Sequence, residues 1–336
     1  MLNLAGGLDR GRFSAEIVVL DGRGPLTASV PSAIPVHDLQ RPRLRQAMPA
    51  LVSTLRRLRP HAVVPTLGYV NLALLAARPL LPPTRIYPRE ANLPSVSIDA
   101  LPSLTAGRLA YRFLYPRADG VLCNARIVAE ALARDCGVPP VRIHLIDNPI
   151  DVARIRAAAT PTTRMDGAGP RLVAAGRLTH QKGFDRLIDL FATMASDAHL
   201  TILGDGPDRT SLEARATATG VAARIAFAGF QARPWPFYAG ADAFLLPSRW
   251  EGMPNAALEA LACGTNVIAT RESGGIGEVA EAAAPGAVTV APWGEGFAAA
   301  LRAVRGRPAS TPRESLLPER FTLDRATDSL ARILAS

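Results

Sequence analysis

Pro247-Ser248-Arg249-Trp250-Glu251-Gly252-Met253-Pro254-Asn255-Ala256-Ala257-Leu258-Glu259-Ala260-Leu261-Ala262-Cys263-Gly264 is the stretch on which the reading of this chain turns. It follows a short apolar run, Ala243–Leu246, of strand length. Pro254 suits the first turn of a helix, and Gly264 suits its end. The order is therefore strand, loop, helix, and the helix N-terminus near Asn255 and Ala256 points out of the carboxyl edge of a sheet. Free N–H groups and the helix dipole make such an end an anion site. Glu251 lies in the loop before the helix. Glu259 lies inside it, four residues after Asn255 and on the same face. Carboxylates accept hydrogen bonds from sugar hydroxyls. A phosphate flanked by two hydroxyl-bearing groups fits this arrangement, and a nucleotide sugar offers that chemistry. The plainer alternative is a helix-capping acid beside a surface acid.

Upstream, the run Leu172–Ala175 reads as a strand and leads into Gly176-Arg177-Leu178-Thr179-His180-Gln181-Lys182-Gly183. Arg and Lys five apart on one strand-exit loop can meet one anion, Arg as a planar fork and Lys as a point charge. Lys182 is the only lysine in the chain. A sequence that uses arginine everywhere else has a reason for an ammonium here, unless the loop is merely solvated. A single glycine before the helix fits neither a dinucleotide fingerprint nor a Walker loop. Phe184, Leu187, Ile188 and Phe191 then repeat at helical spacing. Leu200–Leu203 is the next strand, closed by Gly204-Asp205-Gly206-Pro207, a tight turn. Ile225–Ala228, Val267–Ala269 and Ala287–Val290 continue the pattern. Gly229-Phe230 frames a nucleobase or fills a core. Gly274-Gly275 admits a ligand close to the backbone or simply turns the chain. Alternating strands and helices of this kind predict a doubly wound sheet, with ligands at the carboxyl ends of the strands.

The first half carries the same alternation less clearly. Glu16–Leu20, Ala62–Pro65, Ile86–Tyr87, Gly120–Cys123 and Ile143–Ile146 read as strands. Leu44–Leu58 and Ile127–Asp135 read as helices. The turn Asp147-Asn148-Pro149 and the polar stretch Thr160–Pro170 are the candidate boundary. The predicted division is residues 1–150, 151–318 and a C-terminal helix over 319–336. That helix has Leu323, Ala326, Leu330 and Ile333 on one face.

The length of 336 residues and 48% hydrophobic composition suit two packed domains, not a disordered chain. The net charge of +9 is concentrated: residues 1–150 hold 18 arginines against 10 acids. An anionic partner for that half is one reading, and an arginine-rich solvated surface is the other. Arg108, Arg112 and Arg117 stand near Leu109, Phe113 and Leu114, which points to an anionic membrane surface or a lipid-diphosphate acceptor. No zinc-finger spacing and no aromatic RNA-binding strand occurs, so no nucleic acid is expected as partner. Cys123, Cys136 and Cys263 are too few and too scattered for a disulfide framework or a metal site, and they fit a reducing compartment. Met1–Arg10 lacks the basic and apolar regions of a secretory signal, and Tyr69–Leu81 is too interrupted to span a bilayer. The expected location is cytoplasmic, with peripheral contact to the inner membrane face.

Taken in order, Gly176-Arg177, Lys182-Gly183, Gly204-Asp205-Gly206-Pro207, Gly229-Phe230, Pro247-Ser248, Glu251, Glu259 and Gly274-Gly275 resemble the family 4 retaining glycosyltransferases. The match runs over about residues 171–292, and Glu-x7-Glu in its Pro-Ser-x-x-Glu-Gly-x-Pro frame is its strongest element. The resemblance implies the GT-B fold: two doubly wound Rossmann-like α/β domains, a ligand cleft between them and a C-terminal helix crossing back to the N-terminal domain. It implies a hexosyltransferase that moves a sugar from a nucleoside-diphosphate sugar to a glycan or lipid-linked acceptor with retention, in polysaccharide or glycolipid synthesis. Arg177 and Lys182 would hold the donor diphosphate, Glu251 the transferred sugar and Glu259 the ribose. Gly176, Gly204, Gly229, Phe230, Gly252, Met253, Asn255 and Ala256 would complete the donor site, and Arg177, Lys182 and Glu251 would form its catalytic part. Neither a cofactor nor a metal is implied, because Arg, Lys and the helix dipole neutralise the leaving diphosphate. A GT-B sugar-nucleotide epimerase and a truncated, non-catalytic donor-binding protein are the competing readings.

The N-terminal half is similar more loosely. Leu2-Asn3-Leu4-Ala5-Gly6-Gly7-Leu8-Asp9-Arg10 resembles the first helix of these enzymes, with Leu2, Leu4, Ala5 and Leu8 inward. Arg89-Glu90-Ala91-Asn92 falls where acceptor-side residues occur, which marks Arg89, Glu90 and Asn92. Family members usually place a strand and a Gly-rich loop before that first helix. The expectation is therefore of a shortened chain, poorly soluble or weakly active alone.

Overall fold

The computed structural model describes residues 1–23, 30–160, 169–194, 197–306 and 313–335. Within the stretch Thr160–Pro170, residues 161–168 lie outside the described residues. The chain divides into two compact units, one of Met1–Pro149 with Leu323–Ser336, the other of Ile150–Thr322.

The first unit is built from short parallel strands. β1 (Ile17–Val19) pairs with β2 (Val36–Asp38). β3 (Ala62–Val63) pairs with β4 (Arg85–Ile86). β5 (Arg89–Glu90), β6 (Val121–Cys123) and β7 (Ile143–Leu145) pair in that order. The sequence suggests one strand at Ile86–Tyr87, where the structure has two strands on either side of Tyr87-Pro88. Proline has no N–H and cannot donate to a ladder, so it divides the run. Val36–Asp38 is largely polar, with Val36 and Asp38 exposed, and has no readable apolar alternation. The helix Leu44–Leu58 begins and ends where its pattern does.

Leu4, Leu8, Tyr87, Leu122, Ile146, Ala326 and Leu330 form one core cluster here. It joins the helix Leu2–Gly7 to the terminal helix Leu323–Ala335, so residues at the two ends of the chain pack together. Leu2 and Ala5, expected inward, are only partly covered. The Arg85 guanidinium donates to the Leu334 carbonyl at 3.0 Å, satisfying an acceptor that the helix end leaves open.

The second unit is one six-stranded parallel sheet. Its strands are β8 (Arg171–Ala175), β9 (His199–Leu203), β10 (Ile225–Gly229), β11 (Ala243–Leu246), β12 (Val267–Thr270) and β13 (Val288–Ala291), in the order β10-β9-β8-β11-β12-β13. β11 and β12 are buried along their whole length. That is why they read as continuous apolar runs rather than alternating ones. Phe184, Leu187, Ile188 and Phe191 of the helix Phe184–Ala192 are each at most 2% exposed and pack on the sheet. At the amino edge, Arg171 reaches buried Asp242 with guanidinium contacts of 2.8 and 3.1 Å, tying the start of β8 to the start of β11. The strand order reverses between β8 and β11. In an open α/β sheet the crevice at the carboxyl ends of such a pair is the place where ligands bind.

Candidate active site

The loops after β8 and β11 flank that reversal, and they carry the residues singled out in the sequence. Lys182 closes a 3₁₀ turn, His180–Lys182, and its ammonium donates to Glu251 Oε1 at 2.6 Å. Ser248 Oγ donates to the same oxygen at 2.8 Å. The pair is largely covered, with side-chain exposures of 22% for Lys182 and 7% for Glu251. Lys182 is thus not a solvated loop residue. Its charge rests on the acid of the neighbouring loop.

Both loops are held firmly. Gln181 Nε2 donates to the Trp250 carbonyl at 3.0 Å, and the Arg249 N–H donates to the Gln181 carbonyl at 2.8 Å. Arg249 meets Asp185 through two contacts of 2.7 Å. Arg186 donates to the carbonyls of Pro247 and Ser248. Gly183 sits at φ +67°, and a Cβ there would strike the Pro247 carbonyl oxygen. Gly183→Ala is accordingly expected to cost about 1–3 kcal/mol of stability and to part the two loops. Denaturant unfolding beside donor KM would read both effects, and an alanine variant equal to the parent in both would contradict this. Gly274, at φ +62°, lies directly against the Glu251 carbonyl, and the Gly275 N–H donates to the Gly252 carbonyl at 2.7 Å. This pair of glycines therefore lets the Glu251 loop lie on the chain after β12.

The helix Asn255–Ala262 follows with Pro254 at its N-cap. Asn255 is exposed, Ala256 is partly covered, and Gly252 and Met253 are buried. Glu259, one turn in, accepts from Trp235 Nε1 at 3.0 Å, and the Arg154 guanidinium stands 5.9 Å from the Trp235 ring centre. Burial pushes the Glu259 carboxyl above its ordinary value, and the indole N–H opposes that in part. The Gly176 N–H donates to the Leu203 carbonyl at 3.0 Å and the Gly204 N–H to the Gly229 carbonyl at 2.8 Å, joining the ends of β8, β9 and β10. Phe230 is 70% exposed, so it is an open aromatic face and not core. Arg177 is exposed on its loop, and its guanidinium has no ion pair among the described residues. The structure thus brings Lys182 to Glu251, and Arg177 takes no part in that ion pair.

In the first unit, Glu90 is 2% exposed. Its Oε1 accepts from Asn71 Nδ2 at 3.1 Å, from Tyr111 OH at 3.0 Å and from Tyr115 OH, and its Oε2 accepts from Ser97 Oγ at 3.1 Å. The carboxylate faces the interior, so of the three acceptor-side residues it is the one least able to meet a ligand. Arg89 donates to Asn148 Oδ1 at 2.8 Å, and Asn92 is exposed. Sequence reasoning missed Trp235 and the four donors around Glu90. Ser248 was visible beside Glu251, in the same Pro-Ser frame.

The model for Glycosyltransferase Family 4 matches residues 1–154, and that for Glycosyl transferases group 1 matches residues 161–308. A lipopolysaccharide core biosynthesis glycosyltransferase, LpsE, of Rhizobium meliloti is 32% identical over 68% of this chain and 67% of its own length. The chain belongs to glycosyltransferase family 4. It is an enzyme of the glycosyl-transferring class. A Campylobacter jejuni N-acetylgalactosaminyltransferase named for a diphospho-undecaprenol acceptor is 28% identical, over 62% of this chain and 57% of that protein. Among solved structures, Anabaena HepE in complex with UDP superposes with a TM-score of 0.76 at 18% identity, over 99% of this chain and 95% of that one. The fold is GT-B.

Proposed function

We propose that this glycosyltransferase moves a hexosyl group from a nucleoside-diphosphate sugar to a glycan or lipid-linked acceptor, with retention, in cell-surface polysaccharide or glycolipid synthesis. The observation that carries the reading is the meeting of the β8 and β11 loops at the strand reversal, with Lys182 on Glu251 beside a helix N-terminus. Relatives named for lipopolysaccharide core and polyprenyl-diphosphate glycosylation, and a structural neighbour solved with UDP-glucose, point the same way. In this reading Lys182 and Arg177 take the diphosphate with the N–H groups of Asn255 and Ala256. Glu251, with Ser248 fixing its orientation, accepts from the transferred sugar. Glu259, oriented by Trp235, accepts from the ribose, and exposed Phe230 offers its face to the base. The leaving diphosphate is neutralised by Lys, Arg and helix dipole, and a donor phosphate oxygen takes the acceptor proton. No enzymic nucleophile is then needed, and the two acids are not the acid/base pair of a hydrolase.

A donor screen reading released nucleoside diphosphate, with and without acceptor, tests the transfer. Calorimetry tests the roles: Glu259→Ala should weaken the bare nucleoside diphosphate by about 10- to 100-fold, the loss of a charged hydrogen bond. Glu251→Ala should matter mainly when the sugar is present. Equal losses in both variants would contradict the division.

The membrane reading rests on the helix Leu104–Leu114, where Leu104, Leu109 and Phe113 are 49%, 50% and 57% exposed beside exposed Arg108 and Arg112. No helix among the described residues is long and apolar enough to cross a membrane. Co-sedimentation with liposomes is expected to require anionic lipid and to weaken with salt, at about 1 kcal/mol per basic residue. Equal binding to neutral and anionic liposomes at low salt would remove this part of the reading.

A further inference from the structure

A cavity of about 470 Å³ opens in the first unit, lined by Arg78, Arg117, Ala118, Asp119 and Arg142. Each arginine comes from a separate 3₁₀ turn: Arg78–Leu80, Tyr115–Arg117 and Pro140–Arg142. Asp119 and Arg142 stand just before β6 and β7, at the amino edge of those strands. Arg89 and Asn92 belong to the other edge, so this cavity is not the acceptor side described above.

The arginines are partly engaged. Arg78 donates to the Arg117 carbonyl at 2.8 Å and to Asp119 Oδ1 at 2.9 Å. Arg142 Nη1 donates to the Pro116 carbonyl at 2.8 Å, and Arg117 Nη1 donates to the Phe113 carbonyl. A guanidinium has five N–H donors, so most of those on Arg117 and Arg142 remain for a ligand. Asp119 is the one acid of the lining and is spent on Arg78. Burial alone would raise its carboxyl, but Arg78 and the Ile86 N–H hold it below the ordinary value, so it stays charged. Three cations against one fixed anion leave two positive charges facing the space. Two planar forks of that kind match the oxygens of a phosphate group. Arg117, which lines the cavity, is tied through its carbonyl contact to Phe113, at the exposed end of the helix Leu104–Leu114.

We propose that this cavity is a phosphate-binding site, taking a phosphomonoester or phosphodiester group on Arg117 and Arg142, with Arg78 and Asp119 as its fixed wall. Its occupant is independent of the donor.

Inorganic phosphate is titrated into the full chain at constant ionic strength, with chloride as the matched control, and Tm is followed. A saturable rise specific to phosphate is expected. In Arg117→Gln/Arg142→Gln the midpoint should move at least about tenfold, since two charge-assisted contacts are lost. Arg142→Lys, which keeps the charge without the fork, guards against misfolding and should weaken the response less. A parent response no greater than chloride overturns the proposal. So does an identical response in all three proteins, which would put the anion elsewhere, as at Lys182. Vesicles of phosphatidylcholine with and without phosphatidic acid then identify the source. Binding to phosphatidic acid that falls in the double variant assigns a lipid headgroup. Unchanged vesicle binding, with the phosphate response lost, assigns a soluble phosphate. Release of nucleoside diphosphate by the same variants reads the transfer reaction separately.

Discussion

Lys182→Ala is expected to lower kcat/KM for glycosyl transfer by about 30- to 900-fold, corresponding to about 2–4 kcal/mol of lost transition-state stabilisation. The loss has two sources. The proposed charge-assisted contact to the leaving diphosphate disappears. Glu251, at 7% exposure, is also left in the protein without its cation, still held by Ser248. A buried charge without its partner is costly, so stability should fall as well. The two sources separate in the double variant Lys182→Met/Glu251→Gln. Stability should return toward the parent, because neither partner is then a stranded charge. Activity should not return, because both of the proposed donor contacts are gone. The pair also constrains the reaction cycle. The ammonium sits on the acid, so under the proposed roles donor binding would draw it toward the diphosphate and release carboxylate oxygens to sugar hydroxyls. Steady-state kinetics beside denaturant unfolding on the two variants would check this. Recovery of transfer in the double variant would mean that the pair only braces the loops.

The second unit was legible in the sequence for a physical reason. Its central strands are covered on both faces, so Ala243–Leu246 and Val267–Ala269 stand out as unbroken apolar runs between glycine-containing turns. Lys182 stood out as the only lysine in the chain, and Glu251 through its frame. Their contact spans 69 positions and could not be read from spacing. Trp235 and Glu259, 24 positions apart, are the same kind of case. In the first unit the strands are two or three residues long, and Pro88 divides one run in two. Phe230 shows the opposite limit. An aromatic after a strand end reads equally as core or ligand face, and only its exposure decides.

Glu90 illustrates a buried polar network with no sequence signature. Tyr111 and Tyr115 lie one helical turn apart, and their rings stack at 4.3 Å, but nothing in their spacing announces a carboxylate about twenty residues earlier. Removing that carboxylate strands the hydroxyls of Ser97, Tyr111 and Tyr115, while Asn71 Nδ2 keeps the Tyr115 hydroxyl at 3.0 Å and the Arg89 carbonyl at 3.3 Å. Glu90→Ala is expected to cost about 3–5 kcal/mol, above the usual range for a point substitution. Glu90→Gln keeps the shape and one acceptor and should cost less. The pH dependence has a definite sign. Burial raises the Glu90 carboxyl above its ordinary value, and the four donors offset this only in part. Between the ordinary carboxylate range and the raised value, the folded state holds a proton that the unfolded chain has released. Its contribution to stability is therefore complete below the ordinary range and is lost as pH rises through the folded value. Glu90→Gln has no such proton and should lack that part of the slope. Denaturant midpoints across this pH range, followed through the tyrosine near-ultraviolet signal, measure both effects. A Glu90→Ala loss under 1 kcal/mol, or an unchanged slope in Glu90→Gln, would show that the network neither holds the first unit together nor titrates within it.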